Sequence, residues 1–286
     1  MSIIDDLKKA GATDELTNRE YHEQTWAVSS SYLKRMFEKG QKAADTPWKP
    51  SAALQARLDV GTAVHAALLE DKALDECGFA IKPEGLSLAT KAGKEWKAEV
   101  VEAGLTVMAA ENARVVTEAV NAAASYFPIG LDLDEANIRE RSLFWLDVAS
   151  NVWCRARPDA FGGDVLLDVK TTTRFDDFER EIFGRGYDLQ AAFYREWIIA
   201  TGQLEKVERV GFIAVEVEEP FRVGAFYLQP EDVDLAWDVC KRLLHRIDES
   251  RTVQGYKASD VYCGNKVETV TCPAWEYDRR AVFFTN

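Results

Sequence analysis

The stretch Val165-Leu166-Leu167-Asp168-Val169-Lys170 places stricter limits on the fold than any other part of the chain. It is an apolar run broken by two opposite charges two positions apart. In a strand, alternate side chains share a face, so Asp168 and Lys170 point the same way while Leu167 and Val169 pack into the core on the other. The spacing predicts a strand over 165–171. Before it, 142–148 and 152–157 form a predicted hairpin turning at Ala149-Ser150-Asn151. After it comes helical sequence over about 175–200, stopped by Thr201-Gly202, then a second hairpin from 208–216 and 221–228. An amphipathic helix over 232–248 carries Val233, Trp237, Cys240, Leu244 and Ile247 at three- and four-residue steps.

The first 137 residues read differently. Ser29-Ser30-Ser31 precedes Tyr32-Leu33-Lys34-Arg35-Met36-Phe37, which predicts a Ser-capped helix. Thr46-Pro47-Trp48-Lys49-Pro50 is a break. Residues 52–70 have helical periodicity with Leu54, Leu58, Val64, Leu68 and Leu69 as apolar members, and 89–126 read as two helices divided near Gly104. The order is helices, then β-β-β-α-β-β-α. That is an α/β (α+β) chain with a mixed sheet flanked by helices and an N-terminal helical subdomain.

Composition sets the outer bounds. With 286 residues, 47% hydrophobic and 29% charged, this is an ordinary globular chain, long enough for one large core. No apolar run approaches the ~18 residues that would cross a bilayer, and the acidic N-terminus is unlike a signal peptide, so a cytoplasmic location is expected. The five cysteines form no CxxC pair, so reduced thiols are expected, with no iron–sulfur cluster or zinc ribbon. The net charge of −13 argues at first against a nucleic-acid partner. Yet the first 50 residues are balanced at 8 basic and 8 acidic side chains, so the excess acid lies further along. Carboxylates that hold divalent cations reverse their local sign. The absence of GxxxxGK[ST], GxGxxG and GxSxG motifs leaves nucleotide-binding and serine-hydrolase readings without support.

The chemistry gathers around the central strand. Arg157-Pro158-Asp159 ends the preceding strand nine residues before Asp168, and adjacent strands can bring both carboxylates to one hard-cation site. Hydrolysis of a phosphodiester needs an ionised water, neutralised non-bridging oxygens and a stabilised leaving oxygen, all of which Mg²⁺ can supply. Lys170 would sit beside the water and the scissile phosphate as a point charge. Gln190 and Tyr194 stand four apart on the following helix and share a face. His65 follows Gly61 by about one helical turn; Gly61 would allow close packing against the sheet, and His65 could give a nitrogen ligand. Glu140, near a strand start, is balanced between a site residue and a solvated charge. Lys34 and Arg35 are candidate phosphate contacts.

Taken in order, Ser29-Ser30-Ser31-Tyr32-Leu33-Lys34, Gly61-Thr62-Ala63-Val64-His65, Arg157-Pro158-Asp159, Asp168-Val169-Lys170-Thr171-Thr172 and Gln190-Ala191-Ala192-Phe193-Tyr194 resemble the RecE-type (exonuclease VIII-like) phage nucleases. These belong to the PD-(D/E)XK superfamily with lambda exonuclease. The resemblance covers residues 20–230 or so. It implies a restriction-endonuclease-like core in a single domain, with 1–137 mainly helical, 138–250 the catalytic sheet core and 251–286 a tail. It implies 5′→3′ digestion of linear double-stranded DNA from its ends, leaving 3′ tails for recombination, with Mg²⁺ or in its place Mn²⁺. By the same resemblance His65, Asp159 and Asp168 are metal ligands, with the Val169 carbonyl a further one. Lys170 is the catalytic lysine, Gln190 and Tyr194 complete the site, and Glu140 is the best match to an additional glutamate. A homo-oligomeric ring (trimer or tetramer) and a single-strand annealing (RecT-like) partner are also implied. Two other readings stay open: another DNA nuclease of the superfamily, cutting internally or at branches, and an inactive DNA-binding or assembly protein that keeps the fold.

Overall fold

The computed structural model describes residues 11–70, 72–126 and 133–252. The elements run, in order, β1 (Ala12–Thr13), α1 (Asn18–Glu23), β2 (Val28–Ser29), α2 (Ser30–Lys39), α3 (Gln41–Asp45), α4 (Ala52–Leu69), β3 (Phe79–Ile81), α5 (Lys91–Glu102), β4 (Thr106–Met108) and α6 (Ala110–Ser125). They continue with β5 (Ile138–Arg139), β6 (Ser142–Asp147), β7 (Val152–Ala156), β8 (Ala160–Gly162), β9 (Val165–Thr172), α7 (Phe178–Gly184), α8 (Tyr187–Ala200), β10 (Arg209–Glu216), β11 (Val223–Tyr227) and α9 (Pro230–Thr252). Among the described residues no helix is long and apolar enough to cross a membrane. The expected tail over 251–286 lies almost wholly outside the described residues.

β9 is the middle strand of a five-stranded sheet ordered β11-β10-β9-β8-β5. It runs parallel to β10 and antiparallel to β8, with Asp168 opposite Phe212 and Ala160 opposite Leu167. The parallel pairing needs a long crossover, and α7 and α8 supply it. The alternation in β9 sorts its side chains as predicted. Val165, Leu167 and Val169 join the core with Val60, Val64 and Val116 from α4 and α6. Leu166 faces a second core with Leu189, Phe193 and Ile198 of α8 and Leu243 of α9. α8 is buried on nearly every side, which is why its apolar pattern has no single clear face.

The expected single sheet is two. The hairpin β6–β7 forms at the predicted place but belongs to a separate sheet, ordered β1-β6-β7-β2. Pro158 accounts for the division: it has no N–H to continue a ladder, so the chain bends after β7 and re-enters the other sheet as β8. The short N-terminal strands that flank the hairpin had no signal in the sequence, since two residues are too few to show alternation. The predicted division near Gly104 is present, with β4 between the helices and paired to β3.

Ser29 caps α2 by accepting from the Tyr32 amide, and Ser51 caps α4 by accepting from that of Leu54. In α4, Leu54 and Leu58 are 39% and 42% exposed although they belong to the helix's apolar period. Only the second half of the helix, from Val60 to Leu69, lies over the sheet, and its first half projects beyond it. Cys154 and Cys240 are buried and Cys77 is half-buried, all three as thiols rather than in disulfides.

Candidate active site

The Pro158 bend delivers Asp159 to the side of β9. Its Oδ2 accepts the Val169 amide at 2.7 Å, so the bend is tied to the middle strand. His65 on α4 places Nδ1 3.3 Å from the same oxygen. α4 comes this close because residue 61 is glycine: a Cβ there would stand 3.2 Å from Thr171 Oγ1. Glu140 follows β5 in a left-handed conformation, φ 51°, and its amide donates to the Asp159 carbonyl at 3.1 Å. One ligand atom from each of His65, Glu140 and Asp159 lies within 4.8 Å of the others.

This trio fits a divalent cation. The two carboxylate oxygens suit a hard ion such as Mg²⁺ or Mn²⁺, and the imidazole nitrogen is a donor that a transition ion such as Mn²⁺ takes more readily than Mg²⁺. Burial and the neighbouring Asp159 charge push the Glu140 carboxyl up, only partly offset by Arg157. Burial and the Asp168 charge push Asp159 up as well. Two carboxylates held together at a cost to their ionised forms are what a bound cation would relieve.

Asp168 stands beside the trio rather than within it. It is 2% exposed, and each of its oxygens is held by a neighbour. Oδ2 pairs with the Lys170 ammonium, and Oδ1 accepts from Gln190 Nε2 at 2.9 Å. Burial acts to lower the Lys170 pKa, but the Asp168 and Asp159 charges outweigh it and raise the ammonium above its ordinary value. Gln190 Nε2 also lies 3.2 Å from the Tyr194 hydroxyl, and Ser30 Oγ donates to that hydroxyl at 3.4 Å. Burial holds the Tyr194 phenol well above its usual range. Val169 contributes through its backbone amide, its side chain lying in the core.

Lys34 and Arg35 part company. Lys34 joins the site: its ammonium donates to Gln190 Oε1 at 2.8 Å and lies 5.2 Å from the centre of the Tyr187 ring. Burial and the Lys170 charge lower its pKa to about 8. Arg35 instead donates to the carbonyls of Ala43 and Thr46 and ties α2 to the turn after α3. Sequence reasoning missed Ser30 and Tyr187. Ser30 is one helical turn before Lys34, the same spacing that singled out Gln190 and Tyr194, and that repetition was the available signal. The site opens on a cleft of about 1640 Å³, whose walls include His65, Glu140, Asp159, Lys170 and Gln190.

Residues 29–268 match the family described as PDDEXK-like domain of unknown function (DUF3799). The chain belongs to this PDDEXK-like family. Its match runs from the Ser29 cap through every residue of the site. A crystal structure named "Putative exonuclease" from Eubacterium rectale shares the fold of this PDDEXK-like chain. The TM-score is 0.56 and the identity 13%, over 93% of this chain and 98% of that one. No curated protein matches the chain. The PDDEXK-like assignment extends to the superfamily rather than to the RecE-type branch.

Proposed function

We propose that this chain is a metal-dependent deoxyribonuclease that digests linear double-stranded DNA 5′→3′ from its ends and leaves 3′ single-stranded tails for recombination. One observation carries the reading. A carboxylate and a lysine share one face of a buried strand, next to half-buried His65 and Glu140 and buried Asp159 at the wall of an open cleft. Mg²⁺ is the ion of choice, with Mn²⁺ as a substitute; bound there it would neutralise phosphate charge and acidify a water.

The chain's own groups do the rest. His65, Glu140 and Asp159 would supply the ligands, with Asp168 beside them as a further candidate. Lys170, charged and at the cleft wall, positions the attacking water and adds positive charge beside the scissile phosphate. Gln190 holds the second oxygen of Asp168, so the carboxylate cannot turn away. The resemblance adds a trimeric or tetrameric ring and a single-strand annealing partner, which light scattering and co-purification would test.

The deciding experiment is digestion of end-labelled linear duplex and of the same DNA as a closed circle, in Mg²⁺, with EDTA and Asp168→Ala as controls. Release of nucleotides from the 5′ ends of linear DNA alone, lost in the variant, is the expected outcome. Cutting of the circle would make the chain an endonuclease. No cleavage of either in Mg²⁺ or Mn²⁺ would make it a binding or assembly protein.

A further inference from the structure

α2 and α8 meet at the site in opposite directions, and each presents two polar groups one turn apart. Ser30 reaches Tyr194, and Lys34 reaches Gln190. The Lys34 stem passes over Gly186, the left-handed residue before α8, where a Cβ would stand 3.3 Å from Lys34 Cγ. Its ammonium ends on Gln190 Oε1. The cleft walls include Lys170, Tyr187, Gln190 and Tyr194 but not Lys34.

We propose that Lys34 is a positioning residue for Asp168, acting through Gln190 rather than on DNA. This rests on the nuclease reading in taking Asp168 as part of the metal centre. An ammonium can only donate, so it fixes Gln190 with its oxygen toward α2. The amide nitrogen must then face Asp168 Oδ1, 2.9 Å away, and Tyr194, 3.2 Å away. The reversed amide would set NH₂ against an ammonium and oxygen against a carboxylate, two repulsive contacts at once. Lys34 therefore selects one of two amide orientations. With Lys170 on Oδ2, that choice fixes the carboxylate at both oxygens. The Tyr187 ring lies about equally far from both lysines, 5.2 Å from Lys34 and 5.0 Å from Lys170, and bounds the space in which either can move.

The test is calorimetric titration of the full chain with Mn²⁺ and no DNA, comparing the parent with Lys34→Met, Lys34→Arg, Gln190→Leu and the Lys34→Met/Gln190→Leu double variant. Loss of an outer partner of a metal-ligating group weakens affinity ~10-fold or more. Lys34→Met is expected to show that loss, and Lys34→Arg to recover most of it. The double variant should bind no more weakly than Gln190→Leu alone, because Lys34 then has nothing to orient. Parental affinity in Lys34→Met, or losses that multiply in the double variant, would overturn the proposal, as would a parent that takes up no Mn²⁺. If Lys34→Met unfolds below the titration temperature in EDTA, Lys34→Gln replaces it, with a smaller loss expected and parental affinity again overturning the idea. A parent that binds Mn²⁺ yet cuts no DNA would sink the nuclease reading alone. A parent that cuts DNA while the lysine variants bind Mn²⁺ normally would sink this proposal alone.

Discussion

The Val169 amide donates to Asp159 Oδ2 at 2.7 Å, the same oxygen that stands 3.3 Å from His65 Nδ1. Asp159→Asn keeps an acceptor for the amide and loses the charge. It should fold normally and bind Mn²⁺ at least ~10-fold more weakly, a loss comparable to that of a disturbed ligand shell. Asp159→Ala leaves a buried N–H without an acceptor and should be about 1–3 kcal/mol less stable than the Asn variant. Urea unfolding of the two in EDTA makes the comparison, and equal stabilities would mean the amide bond contributes nothing.

Metal-free stability should fall as pH rises. Burial and the Asp159 charge push the Glu140 carboxyl up to about 8 from an ordinary 4.5, and burial and the Asp168 charge push Asp159 up to about 6 from 3.8. Across those windows the folded chain keeps protons that the unfolded chain has lost, so rising pH favours unfolding. A cation at the site competes with those protons. The Tm gained on adding Mg²⁺ should therefore grow between pH 6 and 8, and Glu140→Gln should flatten its rise. A gain independent of pH would separate Glu140 and Asp159 from the metal.

Lys170→Ala should abolish cleavage while leaving metal and DNA binding in place. It also leaves Asp168, 2% exposed, without its cation. A buried pair broken on one side costs roughly 3 kcal/mol. A Tm well below the parent in EDTA, together with turnover down ~100-fold or more on the scale of lost electrostatic groups, is the expected pair of results. Near-parental turnover would remove Lys170 from the chemistry.

Gly61 tests how closely α4 must approach. A single Cβ would stand 3.2 Å from Thr171 Oγ1, a gap of the kind a small side-chain shift can absorb. Gly61→Ala should be almost neutral, because better helix propensity of about 1 kcal/mol offsets the crowding. Gly61→Val should push the helix outward, carry His65 with it and weaken Mn²⁺ binding ~10-fold. Parental metal affinity in the valine variant would mean that His65 is not held by this packing.

Ca²⁺ should bind and displace Mn²⁺ without supporting cleavage, because its looser coordination and weaker acidity activate water poorly. Cleavage in Ca²⁺ as fast as in Mg²⁺ would count against metal-activated water at this site.

Much of the fold was legible because it rests on local patterns. β9, both hairpins and α9 announce themselves through alternation or helical stepping, and Ser29 marks its helix as a cap. The split into two sheets was not legible, because it depends on where the chain goes after Pro158. Leu54 and Leu58 fit the helical pattern yet face outward, since periodicity cannot show how much of a helix the sheet covers. Within the site, strand alternation exposed Asp168 and Lys170, and their spacing to Asp159 did the rest. Glu140 was ambiguous because its approach depends on a left-handed residue, a tertiary matter for a side chain with no preference for it. Lys34 could be picked out as a cation, but its partner lies 156 residues away, and no local rule connects them.

That separation governs when the site comes into being. Ser30 meets Tyr194 across 164 residues, with His65, Glu140 and Asp159 brought in from points between. Contacts so distant along the chain form only after most of the ordering entropy has been met. A nascent chain still missing α8 carries His65, Glu140, Asp159, Asp168 and Lys170, but not the helix whose Gln190 holds Asp168. Synthesis therefore passes through a polypeptide in which Asp168 lacks its Gln190 partner, and the arrangement is complete only once α8 has docked.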